Sequence, residues 1–153
     1  MKIKTPVHQD KITPFLWLGS QADKAAKFYS SIFKGAEILS VSPMSATIRL
    51  GGQKLILFNG GPHYRLTPAV SLFVHCQTQK EVDYYWARLS RGGEESRCGW
   101  LVDKFSLSWQ VVPDILFTLL NDKDPVKADR AMQAMLKMKK LDIKRLMQAA
   151  AGK

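Results

Sequence analysis

The sequence is poor in cysteine, with only Cys76 and Cys98 in 153 residues. This shortage excludes a disulfide-stapled secreted scaffold. The chain does not need one, because about 150 residues bury a core that is stable without cross-links or a structural metal. Both cysteines stand among apolar and aromatic neighbours without metal-ligand spacing, so we interpret them as reduced, buried thiols.

Long apolar runs are also missing. No segment approaches the roughly 20 apolar residues that span a bilayer. Residues 1–5 carry charge in place of the apolar core of a signal peptide. The sequence therefore predicts a cytoplasmic protein that does not enter a membrane.

Acidic residues are few, with 13 Asp and Glu against 23 Lys and Arg and a net charge of +10. Half of this excess lies in residues 122–153, which hold nine basic and four acidic residues. The sequence has no recognition helix, zinc-finger spacing or RNA-binding aromatic motif. We therefore expect a solvated helix face and no nucleic-acid partner. A partner-binding tail beside a vestigial pocket stays as the plainest alternative.

What the sequence does contain is an internal repeat. Residues 14–37 align with residues 71–94 at a constant offset of 57 without a gap. In each copy a short aromatic and aliphatic strand meets polar breakers, and a helix with apolar residues at helical spacing follows. Ser20 and Thr78 are the expected helix N-caps, and Gly35 and Gly92 are the expected left-handed residues that end the helices.

Three β-like segments follow each helix, so that both copies have the order βαβββ. The predicted strands are residues 12–18, 37–42, 46–50 and 54–59 in the first copy, and 70–76, 94–98, 100–103 and 108–112 in the second. Beyond Pro113 we predict helices over residues 114–120, 125–138 and 142–150. The sequence thus indicates an α+β protein with a first module (1–61), a second module (62–113) and a helical tail (114–153).

Several strings in this chain are typical of one family. They are ADKAAKFYSSIF (22–33), FNGGP (58–62), EVD (81–83), GGE (92–94), CGWL (98–101), DK (103–104) and SWQVVP (108–113), followed by a Met- and Lys-rich segment. Together they resemble the PhnB-like family of the vicinal-oxygen-chelate superfamily, which includes glyoxalases and bleomycin-resistance proteins. The resemblance covers nearly the whole chain, and the joint occurrence of the strings is specific.

The resemblance implies two βαβββ modules whose curled mixed sheets form a shared pocket, flanked by a homodimer partner. The family also carries the name 3-demethylubiquinone-9 3-methyltransferase. A methyltransferase of the common Rossmann type needs a glycine-rich loop that opens a helix, whereas Gly51-Gly52 and Gly60-Gly61 follow or join strands. We do not expect methyltransferase activity.

Metal-dependent enzymes of the superfamily take two ligands from each module, one on the first strand and one on the last. The resemblance puts these positions at Pro14 and Ser71, or one residue earlier at Thr13 and Val70, and at Ile56 and Gln110. Only Gln110 is a credible ligand, and one side-chain amide does not hold a divalent ion. We expect no metal and no cofactor, which argues against glyoxalase-type chemistry.

Side-chain alternation along the strands predicts which residues face the pocket. Phe15, Trp17 and Trp109 are assigned to the helix-facing core. The predicted ligand pocket consists of Leu16, Leu18, Ile56, Phe58, Ser71, Phe73, His75, Ser108 and Gln110, with Pro14 and Val112 beside them. Such a mixture of apolar and polar side chains is typical of small-molecule sites.

Two functions stay open. The first is a protein that sequesters or senses a small, partly apolar molecule in a metal-free pocket. The second is a lyase or isomerase acting on a small oxygenated metabolite, with His75 or Gln110 as its polar centre. A hydrogen-bonded structural role for His75 is the commoner case for such a residue, and His8 and His63 are expected to face solvent. The missing metal ligands favour the first function.

Overall fold

The computed structural model describes residues 11–153, so the predictions for His8 and for residues 1–5 fall outside it. The described part divides into two compact units, and the boundary along the chain falls between Arg65 and Leu66. Each unit contains one four-stranded mixed sheet. The predicted α+β class with two βαβββ element orders is therefore confirmed.

The first unit contains β1 (Phe15–Leu18), α1 (Ala22–Ile32), β2 (Glu37–Val41), β3 (Ser45–Leu50) and β4 (Gln53–Asn59). Its sheet has the order β1-β4-β3-β2. β1 runs parallel to β4, and the other neighbours are antiparallel. α1 packs on β3 and β4, because the buried residues of these strands recur at every second position.

The start of α1 corrects one prediction. Ser20 is not the N-cap; that position is occupied by Gln21, which makes no capping bond with its side chain. Instead, the Asn59 side chain at the end of β4 accepts a hydrogen bond from Ala22 N at 2.8 Å. A distant side chain thus satisfies one free N–H of the first helical turn.

The second unit begins with β5 (Ser71–Cys76), α2 (Gln79–Leu89), β6 (Glu94–Glu95), β7 (Trp100–Val102) and β8 (Ser108–Pro113). Its sheet order, β5-β8-β7-β6, has the same pattern as the first sheet, with β5 parallel to β8. The predicted N-cap Thr78 is confirmed. It forms a capping box with Glu81. The Thr78 hydroxyl accepts a hydrogen bond from the backbone N–H of Glu81, and the Glu81 carboxylate accepts one from the backbone N–H of Thr78.

A buried carboxylate organises the turn that leads into β8. Asp103 accepts hydrogen bonds from Phe105 N, from Leu107 N and from Trp109 Nε1, at 2.7, 3.1 and 2.8 Å. The same turn places Ser106 at φ +68°, a left-handed conformation that costs a side chain about 1–2 kcal/mol. Ser106 is one of two residues other than glycine with a positive φ in the described part of the chain, so this turn carries backbone strain.

Three further helices complete the second unit: α3 (Ile115–Leu120), α4 (Pro125–Leu136) and α5 (Ile143–Ala150). Leu116, Met138, Leu141 and Leu146 form a buried cluster with Val112 of β8. Val112 therefore lies in the core and not on the predicted pocket surface. Within residues 11–153, none of the helices combines the length and the apolar character that crossing a bilayer requires.

Candidate functional site

The second sheet has one face buried and one face open. On β5, Val74 and Cys76 are buried, whereas Ser71, Phe73 and His75 alternate with them and are partly or fully exposed. These three side chains therefore share the open face, as strand alternation predicts. Their participation in a ligand pocket stays a prediction.

The neighbouring strand β8 adds polar groups to this open face. Phe73 pairs with Gln110 and Ser71 pairs with Ser108 in the parallel register. Gln110 Nε2 donates a hydrogen bond to Ser71 Oγ at 2.9 Å. This bond fixes the orientation of the Gln110 amide on the strand next to Phe73. Trp109 lies 2% exposed on the other face, in agreement with its assignment to the core.

His75 stands at the end of β5 in an aromatic setting. Its ring centroid lies 4.8 Å from that of Phe73 and 6.3 Å from that of Phe117 on α3. Its Nδ1 lies 2.7 Å from Asp114 Oδ1. A carboxylate at this distance fixes the orientation of the imidazole and leaves Nε2 to face a ligand. His75 is exposed, with a side-chain accessibility of 67%, so a molecule in solution reaches it directly.

A small cavity lies at the opposite end of the same sheet. It measures about 290 Å³ and is lined by Pro68, Ser96, Trp100, Leu101, Val102 and Ser108. Ser108 is only 1% exposed. Its Oγ has no hydrogen-bond partner among the residues that the structure describes. The predicted pocket residue Ser108 therefore occupies a separate, more enclosed position than Phe73 and His75.

The first sheet corrects the predicted orientation of β1. Leu16 and Leu18 are each 4% exposed and belong to the core, and Leu16 lies beside the fully buried Leu57. The prediction that they face a pocket is wrong by one residue along the strand. Phe15 and Trp17, which were assigned to the core, lie on the opposite face of this strand.

An aromatic cluster results on the open face of the first sheet. The rings of Phe15 and Trp17 each lie 5.1 Å from that of Phe58, and Tyr64 meets Trp17 edge-on at 4.9 Å. Ile56, which pairs with Phe15, lines an open groove of about 760 Å³. Ile56 and Phe58 thus lie with this cluster, and their part in a ligand pocket stays a prediction.

Gly60 makes room for this arrangement. A Cβ atom at Gly60 would lie 2.0 Å from the Trp17 ring, so no other residue fits there without displacing the indole. Trp17 Nε1 also donates a hydrogen bond to Gly61 O at 3.0 Å. The backbone of the segment after β4 thus holds the Trp17 side chain on the open face.

The residues at the expected metal positions do not fit a divalent ion. Pro14 and Ile56 have no donor atom in their side chains, and Ser71 and Gln110 are bonded to each other. Across residues 11–153 no three His, Cys, Asp or Glu side chains gather in a way that would hold a metal. One hydroxyl and one side-chain amide are too few donors for such an ion.

A Rossmann-type methyl-donor site is equally unsupported by the chain. Both described sheets are four-stranded and mixed, whereas the Rossmann site lies at the edge of an open, mostly parallel sheet. The strand-to-helix connections, residues 19–21 and 77–78, contain one glycine between them. These two connections therefore offer no glycine-rich loop for a nucleotide-like cofactor.

Cys76 does not serve as a nucleophile here. It is fully buried, and burial, assisted by the nearby negative charges of Glu81 and Asp114, raises the pKa of its thiol to about 12. At neutral pH the side chain is the unreactive thiol. It also points away from the face that carries His75.

Sequence reasoning missed Asp114, Phe117 and Trp100 as neighbours of the candidate site. Asp114 was assigned to the start of a tail helix, and its contact with His75 joins residues 39 positions apart. The one signal that the sequence offered was that Asp114 follows Pro113 directly at the end of β8, parallel to the strand that carries His75.

Comparison with known proteins identifies the family. Residues 10–112 match the family described as 3-demethylubiquinone-9 3-methyltransferase. A Bacillus cereus structure, described as a PhnB protein and by the same methyltransferase name, is 32% identical, with a TM-score of 0.64 over 68% of this chain and 99% of that chain. No curated protein matches the chain.

Two more distant structures share the fold. Protein PA1353 from Pseudomonas aeruginosa is 18% identical, with a TM-score of 0.57 over 69% of this chain and 98% of its own. The fosfomycin resistance protein FosX from Listeria monocytogenes, solved with Mn(II) and sulfate, is 18% identical, with a TM-score of 0.51 over 67% of this chain and 88% of its own. At this identity the likeness extends to the fold alone.

Proposed function

This chain belongs to the PhnB-like family of the vicinal-oxygen-chelate superfamily, and we propose that it binds a small, partly apolar molecule without a metal ion. The proposed site is the open face of the second sheet, defined by Ser71, Phe73, His75 and Gln110. The protein acts in the cytoplasm in this proposal.

One observation carries the proposal. A large aromatic side chain, Phe73, is 37% exposed on a sheet face beside a fixed amide and a fixed imidazole. The ring offers stacking area, while Gln110 and His75 offer directed polar contacts. In this proposal these contacts, and not a metal ion, recognise the ligand.

Binding of benzamide to the ¹⁵N-labelled full chain tests this proposal, because benzamide joins one ring to one amide. We expect it to shift the backbone resonances of Phe73, His75 and Gln110, with no change on adding EDTA. The F73A variant should weaken binding about fivefold. Tyr84→Ala, which removes an exposed ring from α2, is the matched control and should leave binding unchanged.

Two results would contradict the proposal. One is that benzamide and its analogues with other small rings leave these resonances unmoved. The other is that EDTA abolishes binding and Mn²⁺ restores it, since the site would then depend on an ion.

A second candidate function, an isomerase or lyase, is favoured by the His75–Asp114 pair. An imidazole oriented by a carboxylate 2.7 Å away is suited to remove a proton from carbon beside a carbonyl. Hydroxyacetone in D₂O is a simple probe of this chemistry. We expect the protein to catalyse deuterium uptake at its α-carbon only if this candidate is correct.

Two variants assign the uptake. H75Q should abolish it, whereas His63→Gln, which changes an exposed histidine of the first unit, should not. Uptake that is equal with and without the protein would reject the enzyme function and leave ligand binding as the activity.

A homodimer is part of the proposal. β2 is the outer strand of the first sheet, and its Ile38, Leu39 and Val41 side chains are exposed. An unpaired strand edge with apolar side chains favours pairing with another chain. The mass of the native protein in solution tests this. Replacing Leu39 and Val41 by lysine should yield the monomer, and a monomeric wild-type protein would refute the assembly.

A further inference from the structure

The cavity around Ser108 contains a polar group without a function in the fold. β7 and β8 form its floor, where Val102 pairs directly with Ser108 and Trp100 pairs with Gln110. Pro68, Ser96 and Leu101 complete the lining. All six residues lie in the second unit, so this unit alone lines the space, which is partly open to solvent.

Ser108 differs from its neighbour across the strand pair. Ser71 accepts a hydrogen bond from Gln110, whereas Ser108 Oγ is buried and has no partner in the described part of the chain. Buried hydroxyl groups in proteins are nearly always bonded to protein or to water. A lone hydroxyl that lines a cavity is therefore placed to bond something that enters the cavity.

The size and lining of the cavity define what fits. A dry cavity of roughly 150 Å³ admits benzene, so a space of about 290 Å³ holds a group the size of two fused rings. The walls are mostly apolar, since Pro68, Trp100, Leu101 and Val102 supply them. Ser108 is the buried polar contact, and a hydroxyl both donates and accepts.

We propose that this cavity is a specificity subsite, which takes an apolar, ring-sized group with one hydroxyl or carbonyl bonded to Ser108. The subsite deepens the proposed function and rests on it, because Gln110 pairs with Trp100 of the cavity floor and so links it to the open face around Phe73. The bound molecule would extend from that face into the cavity.

A matched pair of probes tests the subsite: 2-naphthol, which carries one hydroxyl, and naphthalene, which carries none. Each is titrated into the ¹⁵N-labelled full chain. We expect both to shift the resonances of Val102, Ser108 and the Trp100 indole. 2-Naphthol should bind about fivefold more tightly, because only it forms the hydrogen bond.

Two serine variants separate the hydrogen bond from the shape of the cavity. Ser108→Ala should remove the preference for 2-naphthol and leave naphthalene binding unchanged. Ser30→Ala, which removes a buried hydroxyl on α1 that also has no partner among the described residues, lies outside the cavity and should keep the preference. Val102→Phe fills the space and should weaken both probes.

Three outcomes would overturn the subsite. They are equal affinity for the two probes in the wild-type protein, a preference that survives in Ser108→Ala, and shifts confined to Phe73 and His75. The last outcome would leave the proposed function standing, because binding to the open face would still be seen. Failure of benzamide at Phe73 together with success of 2-naphthol at Ser108 would instead overturn the proposed function.

Discussion

Replacing Ser108 by alanine should stabilise the protein, although most substitutions in a core destabilise it. The side chain is 1% exposed, and its hydroxyl has no partner within residues 11–153. Folding therefore removes this hydroxyl from water without returning a hydrogen bond. Alanine keeps the Cβ atom and removes only the group that is poorly placed.

The magnitude follows from the cost of an unsatisfied buried group, about 1–3 kcal/mol. The loss of the oxygen's packing contacts offsets part of this gain, so we expect a net stabilisation of about 1 kcal/mol. Ser71, its partner in the strand register, gives the opposite sign. Ser71→Ala breaks the bond from Gln110 and should destabilise by about 1 kcal/mol.

Urea unfolding of the two variants beside the wild-type protein measures both effects. With a dependence of about 2 kcal/mol per molar urea, the midpoints should move by about 0.5 M in opposite directions. The reasoning would be refuted if Ser108→Ala lost as much stability as Ser71→Ala. In that case the Ser108 hydroxyl has a hydrogen-bond partner in the ligand-free protein, and it is not an unpaired group available to a ligand.

Three other predictions concern the surroundings of the site. Ser106→Gly should stabilise the protein by about 0.5–1 kcal/mol, because glycine adopts the positive φ of +68° without strain. The control Ser90→Gly, at φ −76°, should destabilise it. Equal effects of the two variants on the melting temperature would contradict this. The hydrogen bond from Lys140 lowers the pKa of Asp83 below its usual 3.8, so its stabilisation is present above that range and is lost as the pH falls through the lowered pKa. Asp83→Asn should flatten the acid side of a melting-temperature profile by a small amount, because the pair is half exposed, and an unchanged profile would contradict the assignment. Cys76, with its pKa near 12, should resist iodoacetamide at pH 8 until urea unfolds the chain. Mass spectrometry that finds Cys76 alkylated in the native protein would contradict this.

Much of the fold was predictable because its signals are local. Alternating apolar residues define the strands, and Gly35 and Gly92 have the predicted left-handed conformation, at φ +72° and +77°. The helices themselves end three residues before these glycines, at Ile32 and Leu89. The Thr78-x-x-Glu81 pattern identifies the start of α2. Each of these features depends on residues within four positions of one another.

The orientation of β1 was not predictable, because alternation leaves two choices that differ by one residue. Aromatic side chains usually favour the core, which led to the assignment of Phe15 and Trp17 to it. The deciding contacts are distant in sequence. Trp17 bonds to Gly61, 44 positions away, and only the missing side chain of Gly60 lets the indole lie where it does.

The orientation of β5 was predictable for the converse reason. Ser71 and His75 are polar and alternate with Val74 and Cys76, so only one choice buries apolar groups. What the sequence withheld is how these side chains are bonded. The bond from Gln110 to Ser71 and the contact between His75 and Asp114 both span 39 positions, and no local pattern reports them.

The helical tail is best understood from these contacts and not from its charge. The family match ends at residue 112, and the next residues supply Asp114 and Phe117, which contact His75. Leu141 and Leu146 then pack behind Val112 and hold this segment against the sheet. The basic residues of the tail lie mostly on the exposed side of its helices, where charge keeps an otherwise apolar layer in contact with water. The segment that looks like an appendage in the sequence is therefore the one that fixes the imidazole on which either proposed activity depends.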